Sequence, residues 1–132
     1  MTLEVPPEQI ERSVEFWRLL GFGQIEPPEP IAAFVTWFEQ TPPPTHASFA
    51  AKAAHAQTPT QIHLIQSTEP TVPRAGHAAV VAEDFQGTFD RLTAAGFEVE
   101  EARELWGERR AFATAPGGHL VELMAAPPAP TA

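Results

Sequence analysis

The chain reads as one supersecondary unit written twice. Each half runs strand, helix and then three strands. An internal repeat of a βαβββ unit constrains the fold more than any single local propensity. In the first half a short strand over 3–5 stops at Pro6-Pro7. Proline suits the first turn of the following helix, because its missing N–H would have no helical partner there. That helix covers 8–20, with Ile10, Val14 and Trp17 at i, i+4 and i+7, and Gly21 placed to cap its end. Strands follow over 22–26, 31–39 and 61–66. The second half repeats the plan. It has a strand over 76–82, a helix over 84–95 with Asp84 as N-cap and Phe85, Phe89 and Leu92 on one stripe, then Gly96 and strands over 97–101, 109–114 and 119–125. Ile62-His63-Leu64 echoes Val121-Glu122-Leu123. The expected fold is α+β, with module one at 1–66, a linker at 67–75, module two at 76–126 and a tail at 127–132. Module one carries an insert at 40–60, bounded by prolines, whose Ala-rich middle at 47–56 reads as a short helix.

The charge balance excludes some function classes. The net charge is −9, and the 8 Lys and Arg form no stripe, so no nucleic-acid partner is expected. No apolar run approaches the roughly 20 residues of a membrane span, and no secretory signal is expected, because the first residues lack a basic stretch followed by an apolar one. There is no cysteine, so a metal would have to use His and carboxylate ligands. The cytoplasm is the expected compartment.

Period-two geometry selects the candidate site. Ile62 and Leu64 point to one face of their strand and His63 to the other. Val121 and Leu123 pair off in the same way against Glu122. With the apolar pairs packed on the helices, His63 and Glu122 occupy equivalent places on the opposite faces. His77 opens the second-half strand and is expected to join them in one cleft. Two His and one carboxylate can hold a divalent ion with positions left open for a ligand. The same groups also suit metal-free proton transfer, or a plain ion pair that satisfies a buried Glu. Arg109 and Arg110 point to opposite faces of one strand, so one of them, taken as Arg110, is expected to enter the cleft and bind an anionic group. Arg74 and Trp37 are the other substrate-binding candidates.

Several stretches carry a family resemblance. They are 11–22 (ERSVEFWRLLGF), 61–64 (QIHL), 76–81 (GHAAVV) and 115–123 (APGGHLVEL). Together they resemble the vicinal oxygen chelate superfamily, which includes glyoxalases, bleomycin and fosfomycin resistance proteins and extradiol dioxygenases. The resemblance implies two βαβββ modules whose sheets curl around a cleft. It implies metal ligands on the first and last strands of each module. Those would be His63, His77 and Glu122, holding Fe, Zn, Ni or Mn, with Glu122 doubling as the catalytic base. A fourth ligand belongs at the start of the first strand, a position that falls just before Met1. The alternatives are a start further upstream, a three-ligand site, or a site without metal. Three functions compete. The first is a metal-dependent lyase, isomerase or dioxygenase acting on a small substrate with adjacent oxygens. The second is a non-catalytic protein that sequesters a small aromatic or cationic molecule. The third is a dimerising module. The resemblance also implies a homodimer.

Overall fold

The computed structural model describes residues 1–40 and 59–130. The insert and its expected helix lie almost wholly outside these residues. Strand β1 (Thr2–Val5) leads through a 3-10 turn at Pro7–Gln9 into helix α1 (Ile10–Leu19), followed by β2 (Phe22–Ile25), β3 (Val35–Gln40) and β4 (Thr60–Gln66). The second half runs β5 (Ala78–Val81), α2 (Phe85–Ala94), β6 (Val99–Ala102), β7 (Arg110–Thr114) and β8 (Leu120–Met124). The repeat is therefore real at the level of elements.

The connectivity repeats as well. The two sheets have orders β1-β4-β3-β2 and β5-β8-β7-β6. In each, the first strand of the module lies parallel to the fourth, and the remaining pairs are antiparallel. The sheets do not close into one: no ladder joins them among the described residues.

Local chemistry explains the boundaries. The third strand begins at Val35 rather than at 31, because Pro30 sits in the first turn of a 3-10 segment over Glu29–Ile31. The proline ring sets φ to a helical value there. Asp84 caps α2 as expected, its Oδ1 accepting from Gly87 N at 3.1 Å. Gly21 and Gly96 adopt φ of +87° and +83° just past the helix ends, where a side chain would be strained.

One difference concerns α1. Its most buried face is Ser13, Phe16, Trp17 and Leu20, whereas Ile10 and Val14 are only partly buried. The helix is covered on two sides, by its own sheet and by the second module. Phe16 meets Phe97 edge-on at 5.1 Å, and the Arg12 guanidinium lies 3.8 Å over the Phe97 ring. Arg12 also donates to Ala95 O. Below the helix, Gly117 N donates to Gln9 Oε1 at 2.9 Å, and His119 Nε2 donates to Glu4 O at 2.7 Å. The two modules therefore share one apolar core, running from Val5 to Leu123. Among the described residues, no helix is long and apolar enough to cross a membrane.

Candidate functional site

The parity argument holds on both sheets. Ile62, Leu64, Val121 and Leu123 are buried at 2% exposure or less, on the helix side. His63 and Glu122 stand on the opposite faces. The register makes their equivalence explicit: Thr2 pairs with His63 and Trp37 with His63, while Ala79 pairs with Glu122 and Phe112 with Glu122. Each polar residue thus has an aromatic neighbour on the adjacent strand. His77 lies two residues before Ala79, so its counterpart in the first module is the position before Met1.

Around Glu122 the site is tightly built. Its side chain is 9% exposed, and both of its oxygens are engaged. Arg110 Nε donates to Oε1 at 2.7 Å, and His77 Nε2 lies 3.0 Å from Oε2. Arg110 reaches Glu122 diagonally, because Arg110 itself pairs with Met124 and so sits two residues along the same face. Its Nη1 donates to Arg103 O at 3.0 Å, and its guanidinium lies 5.2 Å from the Phe112 ring and 5.9 Å from Trp106. Trp106 is anchored through Nε1 to Ala126 O at 3.1 Å. His77 stands just outside β5 and meets Phe112 edge-on at 5.3 Å. Its Nδ1 faces Ala75 O at 3.0 Å. Both ring nitrogens therefore face acceptors, and a neutral ring can donate to only one of them. Arg109 points to the other side of the sheet, to Glu101 and Gln86, so the opposed directions of the two arginines are as expected. The guanidinium of Arg109 holds the Glu101 carboxyl below its usual range.

The other sheet carries His63 in a separate setting. Its ring stacks on Trp37 with centroids 3.9 Å apart and planes 6° from parallel. His63 Nε2 lies 3.0 Å from Gln61 Oε1, and Gln61 Nε2 donates to Glu39 Oε1 at 3.0 Å. Burial holds the imidazole below the usual histidine range, because it disfavours the charged form.

The structure thus brings His77, Glu122 and Arg110 together, and Trp37 with His63. The convergence of His63 on His77 and Glu122 does not occur within one chain: among the described residues, no three His, Asp or Glu groups gather as a metal would require. The parity was right, but the open faces belong to two sheets that are joined through their helices. Arg74 is exposed in the linker. Arg110 enters the Glu122 face, where an internal carboxylate meets it. A metal fits this donor set poorly. Among the described residues of one chain, His77 and Glu122 alone stand together as donors, and a guanidinium already neutralises the carboxylate. Sequence reasoning missed the Arg110–Glu122 pair, although strand parity with the correct register would have revealed it. It also missed the Glu39–Gln61–His63 chain, and His119, which is 4% exposed and ties the last turn to β1.

Residues 2–123 match the family model of the Glyoxalase/Bleomycin resistance protein/Dioxygenase superfamily. No curated protein sequence matches the chain. Among solved structures, a glyoxalase-family protein of Bacillus anthracis superposes with a TM-score of 0.68 at 18% identity, covering 93% of this chain and 88% of that one. The fosfomycin resistance protein FosX of Listeria monocytogenes, solved with Mn(II) and a sulfate ion, gives 0.62 at 19% identity over 96% and 86%. A bleomycin resistance determinant encoded on transposon Tn5 gives 0.56 at 14% identity over 94% of both chains. These likenesses concern the fold, which is the same pair of βαβββ modules derived above from strand order and register. With a family model matching nearly the whole length, the chain belongs to the Glyoxalase/Bleomycin resistance protein/Dioxygenase superfamily.

Proposed function

We propose that this chain is a small-molecule-binding member of the superfamily that holds its ligand against the Glu122 face without a resident metal ion. The observation that carries the reading is the Arg110–Glu122 contact of 2.7 Å, between side chains 12% and 9% exposed. A carboxylate already neutralised by a buried guanidinium has little charge left to offer an ion. Both of its oxygens are also engaged, so neither is left open to a substrate group. Around it stand Phe112, Trp106, Met124 and the 36%-exposed Leu120, an apolar and aromatic lining suited to an aromatic ligand. The net charge of −9 favours a ligand that is also cationic. The working unit is a homodimer, in which a second copy covers the sheet faces that one chain leaves open. Sedimentation checks this, and a monomer at working concentration removes it.

The test of binding is a thermal-shift and tryptophan-fluorescence screen with bleomycin and smaller aromatic cations. A ligand at about 100 times its Kd stabilises the fold by about 2.7 kcal/mol. The expected result is such a shift, reduced in Phe112→Ala. No shift with any member of the panel counts against the reading.

One observation favours a metal-dependent enzyme instead. His77 Nε2 and Glu122 Oε2 are 3.0 Å apart. Two donors at bonds of about 2.1 Å to one ion stand about that far from each other. The third donor would be His63 of a second copy, and a bound ion would act as a Lewis acid toward adjacent substrate oxygens. Metal analysis after loading with Zn, Mn, Fe(II) or Ni decides between the two. The binder reading expects no retained metal. One equivalent per chain, lost in both Glu122→Gln and His63→Ala, would replace it with the metalloenzyme.

A further inference from the structure

The chain Glu39–Gln61–His63 has a direction that hydrogen-bond chemistry alone determines. An ionised carboxylate only accepts. The group of Gln61 facing Glu39 Oε1 at 3.0 Å must therefore be its NH2. The amide oxygen is left to face His63 Nε2, also at 3.0 Å. An amide oxygen accepts too, so Nε2 must carry the proton. In the neutral ring the lone pair then resides on Nδ1.

We propose that Glu39 and Gln61 are positioning residues that hold His63 as its Nε2–H tautomer, so that the ring presents the Nδ1 lone pair as a hydrogen-bond acceptor to a ligand hydroxyl or N–H. The three residues come from facing positions of two strands. Glu39 pairs with Gln61 across the ladder, and Gln61 precedes His63 by two, on the same face of β4. Trp37 completes the device. Its indole lies parallel to the imidazole at 3.9 Å and sets the plane of the ring, while Gln61 sets its rotation about that plane. The same assignment bears on metal binding, because the nitrogen engaged by Gln61 is closed to an ion unless that bond breaks. The ligand-contact part of the assignment rests on the homodimer reading above, in which the His63 face of one copy covers the Glu122 face of the other. The tautomer does not.

The test measures the tautomer in the ligand-free protein. Long-range proton–nitrogen correlation spectra of uniformly 15N-labelled protein near neutral pH distinguish the two neutral tautomers and the imidazolium. The His63 signals are identified by their loss in His63→Gln. The wild type is expected to show the Nε2–H form. Gln61→Leu and Glu39→Ala are expected to shift the ratio of tautomers toward Nδ1–H, by roughly tenfold in Gln61→Leu, the effect of one hydrogen bond. A wild-type ring in the Nδ1–H or imidazolium form overturns the proposal, and so does an unchanged ratio in either variant. If Gln61→Leu fails to fold, the wild-type spectrum and Glu39→Ala, altered at a partly exposed position, still decide it. Because no ligand or metal is present, a failed ligand screen leaves this result untouched, and the reverse also holds.

Discussion

Glu122 shows how one side chain can invite opposite interpretations. A glutamate inside Leu-Val-Glu-Leu-Met is a functional candidate because burying it alone is so unfavourable. The penalty is met by Arg110 and His77, which take one oxygen each. Removing one partner of a buried pair strands the other, so Arg110→Met is expected to lower stability by about 3–5 kcal/mol in urea unfolding. Replacing both, as Arg110→Met with Glu122→Leu, is expected to recover most of that loss. If the single variant changes stability by less than about 1 kcal/mol, the pair is not the buried contact described. His63 gives a pH signature. Its folded-state value is depressed by burial. Below the unfolded value of about 6.5 the unfolded chain therefore takes up the proton more readily, and stability falls as pH drops through that value. Above it both states are neutral and nothing changes. The melting temperature of the wild type should accordingly fall more steeply than that of His63→Gln on acidification from neutral pH. Parallel curves would show that the group does not differ between the two states.

At the scale of elements, helix signals were the most legible. Asp84 before an apolar stripe and Gly96 after it bracket α2 within a residue of its observed ends. The cap is a local interaction, between Asp84 Oδ1 and Gly87 N at 3.1 Å. Asp84→Ala is expected to cost about 1 kcal/mol, read as a lower urea midpoint with an unchanged slope. A shift in slope would mean that the helix change had altered the unfolded or native ensemble more widely. Gly87 fits the same picture, since a Cβ there would fall 2.0 Å from Asp84 Oδ2. Strand edges were harder to read. The stretch from Ile31 to Phe34 was expected to open the strand, yet Ile31 ends a 3-10 turn that contains Pro30, and the next three residues stay in a turn. A backbone constraint outweighed side-chain propensity there.

For the whole molecule, the junction between modules matters most. It is made by α1 against Gly96-Phe97 and by the last turn against β1. Phe97 is 8% exposed and touches Phe16 and Arg12 across that junction. Phe97→Ala is expected to lose about 3–5 kcal/mol. The fluorescence of Trp17 in the first module and of Trp106 in the second, each read in a variant retaining that tryptophan alone, should report one coincident unfolding transition. Two separate midpoints would show that the shared core does not couple the halves.

Periodicity and punctuation in the chain were enough to define two βαβββ modules, the core sides of their last strands, and the opposite placement of His63 and Glu122. Those are local properties, since alternation along a strand and glycine or aspartate at a helix end do not depend on distant partners. Which partner each polar group meets was decided elsewhere. Arg110 rather than His63 reaches Glu122, because strand register places Arg110 on the same face two residues along and 2.7 Å away, while the docking of α1 on Phe97 joins the modules through their helices. Register and docking arise from packing between residues far apart in the chain, and local periodicity carries no term for either.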